Sequence, residues 1–78
     1  MTNTNLISNA LALGLTYCEI NNISQDTPSL EKRILDWYNA TNITNPEMLA
    51  AVALEFSAPI AIPYEVIERV TEIYFPID

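Results

Sequence analysis

The side chains best placed to do chemistry are three glutamates, Glu65, Glu68 and Glu72, which recur at intervals of three and four residues. On a helix this spacing puts the carboxylates in one row about 10 Å long, because a helix rises 1.5 Å per residue. Such a group of carboxylates can hydrolyse a glycoside or hold a metal ion. A helix face that points to solvent, with only Arg69 as a compensating base, instead favours hydrated carboxylates.

The other residue types exclude most catalytic and ligand-binding chemistry. The chain has no histidine, so it lacks both an imidazole acid or base and the usual zinc-binding patterns. The single cysteine, Cys18, falls on an apolar stripe with no cation beside it in the sequence, which is typical of a small buried hydrophobe. The single glycine, Gly14, leaves no glycine-rich loop for phosphate. The sequence therefore predicts no enzyme, no cofactor and no metal site.

The charge balance indicates the type of partner. Ten acidic residues face three bases, which gives a net charge of −7. An acidic field repels nucleic acid and anionic lipid, and it attracts basic surfaces. No Lys or Arg precedes Glu19 to form a secretory signal, and the apolar runs fall short of the roughly 20 residues that span a bilayer. We therefore expect a cytoplasmic protein whose partner is a basic protein, with no direct binding of nucleic acid or membrane.

Helical periodicity accounts for most of the chain. Half of the residues are apolar, enough for one small core, so residues 1–78 are predicted to form a single acidic helical domain. Apolar residues recur with helical spacing in four stretches. The predicted fold is an all-α small four-helix bundle with antiparallel neighbours, and its helices cover residues 4–20, 28–40, 45–57 and 63–75.

Cap signals and inner faces refine these helices. Asn3 or Thr4 is expected to cap the first helix, Thr27 the second, and either Thr44 or Asn45 the third. The third helix is apolar almost all round, which indicates a central position or a subunit interface. The predicted inner faces of the first and fourth helices are Leu6, Ala10, Leu13, Tyr17 and Ile20, and Val66, Ile67, Val70, Ile73 and Tyr74.

Between the third and fourth helices lies the unusual stretch FSAPIAIPYEVI, residues 56–67. A helix-turn-helix is disfavoured because the turn is too long, lacks glycine and leads into a helix with three exposed glutamates. Pro59 and Pro63 each bias the preceding residue toward extended geometry, which predicts a proline-bracketed extended connector. Its role is either a rigid link whose Ile60 or Ile62 plugs the end of the bundle, or a docking edge for another chain.

The fourth helix is expected to carry the partner surface, because it combines acidic side chains with aromatic residues at both ends. Tyrosine and tryptophan dominate interface hot spots, although they also dominate small cores. The alternative is a hydrated helix face with its aromatics in the core. The predicted partner-binding residues are Glu65, Glu68, Glu72, Tyr64, Tyr74, Phe75, Trp37 and Ile60.

Three function hypotheses fit these features. The first is a non-enzymatic protein-binding module that acts as a stoichiometric adaptor or inhibitor of a protein with a basic surface. The second is a nucleic-acid mimic that occupies a DNA- or RNA-binding groove, by analogy with small acidic phage proteins directed against host defence or transcription. The third is a small structural subunit of a larger assembly. The high apolar content of a domain without disulfides also suggests a homodimer.

Overall fold

All four predicted helices are present, with ends within two residues of the predicted positions. The computed structural model describes residues 4–76, and within that range it contains no strand. The all-α four-helix bundle is therefore confirmed. Its helices are α1 (Thr4–Ile20), α2 (Thr27–Thr41), α3 (Pro46–Glu55) and α4 (Tyr64–Tyr74).

Short polar side chains start α2 and α3. The Asp26 carboxylate accepts hydrogen bonds from the backbone N–H of Ser29 at 3.1 Å and from its hydroxyl at 2.7 Å. Asp26 rather than the predicted Thr27 therefore caps α2, because a carboxylate satisfies the first-turn donors of a helix better than a β-branched hydroxyl. Asn45 caps α3 by accepting from two first-turn N–H groups at 2.8 and 3.2 Å, which confirms one of the two predicted caps. Asn3 lies outside the described residues.

Helix α3 lies at the centre of the bundle. It contacts each of the other three helices, and every residue from Met48 to Ala53 is buried. The central position is thus confirmed, and the apolar composition of α3 is satisfied within a single chain. Around it the largest fully buried side chains are Trp37, Leu30, Ile34, Leu49 and Val52.

Gly14 allows α1 to approach the other helices closely. A Cβ atom at this position would lie 3.2 Å from Cδ2 of Leu30 and 3.9 Å from Cβ of Ala50. The first distance is tighter than ordinary van der Waals contact, so the glycine is explained by packing rather than by backbone freedom. The buried residues of α1 are Leu6, Ile7, Ala10, Gly14 and Cys18.

That buried stripe corrects the predicted inner face of α1. Leu13 and Tyr17 are only half-buried, and Ile20 is 74% exposed. The periodic pattern was too wide for one contact surface, and the close approach at Gly14 fixes which part of it faces the core. In the second half of the predicted stripe, Leu13 and Tyr17 are therefore only partly covered and Ile20 is left at the surface.

Two side chains of α2 close the carboxyl end of α3. Nη2 of Arg33 donates to the backbone carbonyls of Leu54 and Phe56, each at 3.4 Å. The indole N–H of Trp37 donates to the same Phe56 carbonyl at 3.2 Å, and the two rings pack with centroids 5.9 Å apart. A cation at this position also complements the negative end of the helix dipole.

Helix α4 runs in the same direction as α3, which corrects the expectation that these two neighbours are antiparallel. The hydroxyl of Tyr64, at the start of α4, donates to Sδ of Met48 near the start of α3 at 3.7 Å. At the other end, the hydroxyl of Tyr74 donates to Oε2 of Glu55 at 2.5 Å. Like ends therefore meet, and the connector must return the chain along about 15 Å of α3.

The connector, residues 56–63, makes this return possible. Its two ends have extended backbone at Phe56 and Pro63, but the extension that the prolines predicted is interrupted between them. Between them the N–H of Ile62 donates to the carbonyl of Ile60 at 2.7 Å, which closes a tight turn at Ala61. Ile62 packs against the core, whereas Ile60 is 65% exposed.

The inner face of α4 is narrower than predicted. Ile67 and Val70 are buried as expected, but Val66 and Ile73 are exposed. Thr71 takes the place of these residues in the buried stripe and satisfies its hydroxyl by donating to the Ile67 carbonyl at 2.9 Å. An internal hydrogen bond of this kind lets a helix bury threonine at little cost.

The contact of Arg33 with the end of α3 predicts a loss of stability when its charge is removed. We expect Arg33→Met to lower the free energy of unfolding by about 1–2 kcal/mol, because two carbonyls lose a charged donor. The matched control is Lys32→Met, at a side chain that is 78% exposed and pairs only with Asp36, where the expected change is below about 0.5 kcal/mol. Urea denaturation measures both, and equal effects would contradict the proposed role of Arg33.

Candidate functional site

An open groove of about 880 Å³ lies between α1 and the end of α4. One wall is a continuous face of α1, formed by Asn9, Ala12, Leu13, Thr16, Tyr17 and Ile20. The other side is formed by the start of α3 and the end of α4, through Pro46, Glu47, Tyr74, Phe75 and Pro76. The α1 wall has helical spacing throughout, so a single straight face borders the groove.

Three aromatic rings join the two sides of the groove. The Tyr17 ring lies 4.8 Å from that of Tyr74 and 5.7 Å from that of Phe75, centroid to centroid, and both pairs are tilted. Tilted ring pairs at these distances are favourable beyond the area that they bury. These contacts attach the end of α4 to α1. The groove therefore forms where the end of α4 packs beside α1.

A hydrogen bond fixes the position of the Tyr74 ring. Its hydroxyl donates to the Glu55 carboxylate at the end of α3. This bond, followed by partial burial and the negative charge of Glu55, raises the pKa of Tyr74 to about 12. The residue therefore stays neutral and keeps donating throughout the physiological range.

The predicted glutamate row reaches the groove at one end. Glu65, Glu68 and Glu72 are all exposed. Glu72 borders a small hollow of about 290 Å³, lined also by Thr71, Phe75 and Pro76. Because Phe75 and Pro76 line the groove as well, Glu72 lies at its edge, and the row continues from there along α4.

The structure separates the predicted partner-binding residues into four places, and Glu65 and Glu68 continue the row from Glu72 along the exposed face of α4. Glu72, Tyr74 and Phe75 come together at the groove. Tyr64 lies at the opposite end of α4 and Ile60 on the connector, where both are exposed. Trp37 is fully buried against α3, where its indole N–H donates to the Phe56 carbonyl. It therefore offers no surface to a partner.

Sequence reasoning missed the α1 wall of the groove. Leu13, Tyr17 and Ile20 were assigned to the core because they continue the apolar periodicity of α1. The signal that could have separated them is the width of that periodicity, since α1 carries more apolar positions than one neighbouring surface can cover.

The charges around the groove are acidic. Glu47 is the one charged residue among those that line it, and Glu72 stands at its edge. The three bases lie elsewhere: Lys32 pairs with Asp36 at 3.1 Å, Arg33 binds the end of α3, and Arg69 is on the exposed side of α4. The groove therefore favours a cationic occupant.

The residues 4–76 show little that could support covalent or metal chemistry. Within them no three metal-ligating side chains come close enough to hold an ion. Cys18 is buried, and burial raises the pKa of its thiol, an effect only partly opposed by the charge of Arg33. The fold thus places the charge of Arg33 near Cys18, which has no cation among its sequence neighbours. The pKa of the thiol is still raised, so the thiol is not activated. No helix in this range is long and apolar enough to cross a membrane.

The chain matches no known protein family, no curated protein and no solved structure. Its function must therefore be inferred from the chemistry of the groove and of the acidic row beside it.

The Tyr74–Glu55 hydrogen bond predicts an unusual tyrosine titration. Of the four tyrosines, we expect one to ionise near pH 12, and Tyr74→Phe to remove that step from the absorbance titration. Since ionisation is harder in the folded state, the stability due to this bond is present below about pH 10 and is lost as the pH rises toward 12. Glu55→Gln should bring the late step back toward the ordinary range. Simultaneous ionisation of all four tyrosines near pH 10 would contradict the hydrogen bond.

Proposed function

We propose that this protein is a cytoplasmic, non-enzymatic binding module that acts stoichiometrically, as an adaptor or inhibitor, on a protein with a basic surface. The observation that carries the proposal is the continuity between the exposed glutamate row of α4 and the aromatic groove. Glu72 belongs to the row and borders a hollow that shares Phe75 and Pro76 with the groove. Charge and apolar anchors are thus adjacent on one surface.

Each part of this surface has a separate role in binding. Exposed carboxylates accelerate encounter with a basic protein and make the rate depend on salt. Aromatic side chains that become buried supply most of the lasting affinity. Tyr74 and Phe75 are half-buried in the free protein, so a partner can cover their remaining surface without a rearrangement of the fold.

A nucleic-acid mimic is the second candidate function, and the exposed row of like charges on α4 favours it. In this case the basic surface of the partner is its DNA- or RNA-binding groove. The two candidates differ in one observable property. A mimic competes with nucleic acid for its partner, whereas an adaptor or an inhibitor of another kind does not.

Self-association remains a proposal on a narrower basis. Because α3 is covered within one chain, its apolar composition no longer calls for a second copy. The remaining support is a set of scattered exposed isoleucines, Ile20, Ile60 and Ile73. Sedimentation of the free protein separates a homodimer from a monomer that uses its surface for another partner.

The experiment begins with capture of a partner by the immobilised protein from a lysate of the organism that encodes it, and identification of that partner. Affinity is then measured against salt for two triple variants. The test variant, Glu65→Gln with Glu68→Gln and Glu72→Gln, neutralises the row. The matched control, Glu19→Gln with Glu31→Gln and Asp36→Asn, removes the same number of charges from α1 and α2. Both change the net charge from −7 to −4.

We expect the test variant to stay folded, since its three carboxylates are exposed, and to bind the partner about tenfold more weakly at low salt with a flatter salt dependence. The control variant should lose much less affinity, because it changes only the overall electrostatic field of the protein. Equal losses in the two variants, or no loss in either, would show that α4 is not the binding surface. Competition by nucleic acid would select the mimic.

A further inference from the structure

The geometry points to one occupant for the groove: we propose that it binds a basic amphipathic helix of the partner protein, about three turns long. The apolar side of this helix packs against the α1 wall and Phe75, and its lysines and arginines face Glu47 and Glu72. This inference rests on the proposed function and deepens it by naming the element of the partner that docks.

The length of the groove sets the length of the occupant. The α1 wall extends from Asn9 to Ile20 on a single face, which corresponds to about 16 Å along the helix axis. Three turns of helix have the same length. Side chains spaced three and four residues apart on such a segment can follow the wall from one end to the other.

The walls also determine the secondary structure of the occupant. Each is a helix or the residues directly at the end of one, and the described residues contain no strand whose edge could pair with another chain. The groove therefore offers no strand edge to a partner, and its surface is largely apolar. A segment buried there must satisfy its own backbone hydrogen bonds, as a helix does and an extended peptide does not.

The charges select a basic helix and disfavour a second copy of this chain. The single ion pair among residues 4–76 joins Lys32 and Asp36, so neither Glu47 nor Glu72 forms an ion pair within that range. Two of the three bases of a second copy, Lys32 and Arg33, already bind within their own chain. Its net charge of −7 would meet an acidic groove, which is repulsive.

The test uses three designed peptides of equal length that carry a fluorescent label. The first is an amphipathic helix of leucine and lysine, the second has the same composition in scrambled order, and the third replaces every lysine with glutamate. Fluorescence anisotropy with the full chain gives the affinity, and circular dichroism gives the helix content. We expect the leucine–lysine helix to bind and become more helical, the scrambled peptide to bind at least about tenfold more weakly, and the glutamate peptide not to bind.

Two variants of the protein locate the binding surface. Ile20→Lys places a cation in the groove wall, at a side chain that is 74% exposed, and the matched control Ile73→Lys makes the same change on α4 at a side chain that is 67% exposed and outside the groove. Neither position belongs to the core. We expect Ile20→Lys to weaken binding of the leucine–lysine peptide about tenfold, and Ile73→Lys to weaken it no more than about twofold.

The proposal is overturned if the leucine–lysine peptide does not bind, if its scrambled form binds equally well, or if the two lysine variants have the same effect. The captured partner separates this inference from the proposed function. A partner that competes with the peptide supports both. A partner that depends on the glutamate row but does not compete with the peptide supports the proposed function alone, and the groove is then not the docking site.

Discussion

Helix α3 has no polar face to leave in water, and this constraint determines where the other three helices lie. Six consecutive residues, from Met48 to Ala53, are buried, which requires neighbours on every side of a helix only ten residues long. Gly14 lets α1 approach closely enough to cover one side. Helix α2 covers a second side and closes the carboxyl end through Arg33 and Trp37, and α4 covers the third. In a domain this small the margin of stability is modest, so each of these contacts matters.

The functional surface follows from the same constraint. Helix α4 covers α3 and runs parallel to it, and its last turn contacts α1 through the rings of Tyr17, Tyr74 and Phe75. The space that this leaves beside α1 is the groove. Apolar side chains of α1 that are not fully covered by the other helices line it, and Glu72, at one end of the glutamate row of α4, lies at its edge. The packing of the other helices around α3 thus leaves an acidic, aromatic-lined surface beside α1.

The sequence predicted the helices, the Asn45 cap and a non-helical connector between α3 and α4, because these depend on neighbours a few residues away. It did not predict which part of each apolar stripe is covered. Ile20 and Ile73 continue the periodicity of their helices, yet both are exposed, since coverage depends on packing between distant elements. The direction of α4 and the Tyr74–Glu55 hydrogen bond were not predicted for the same reason. Both depend on contacts between residues far apart in the chain, such as Tyr74 and Glu55, which are 19 residues apart. The candidate site was predicted only in its α4 part, because the α1 wall reads as core from periodicity alone.

The central claim is that one surface, composed of the α1 wall, the glutamate row of α4 and the rings of Tyr74 and Phe75, binds the partner. Its most direct test is NMR mapping of amide chemical shifts in the complex with the captured partner, compared with the free protein. The account predicts that the largest changes fall within residues 9–20 and 65–76, and that α2 around Glu31 stays nearly unchanged. Changes concentrated on α2, or on the connector around Ile60 with the groove unaffected, would contradict it.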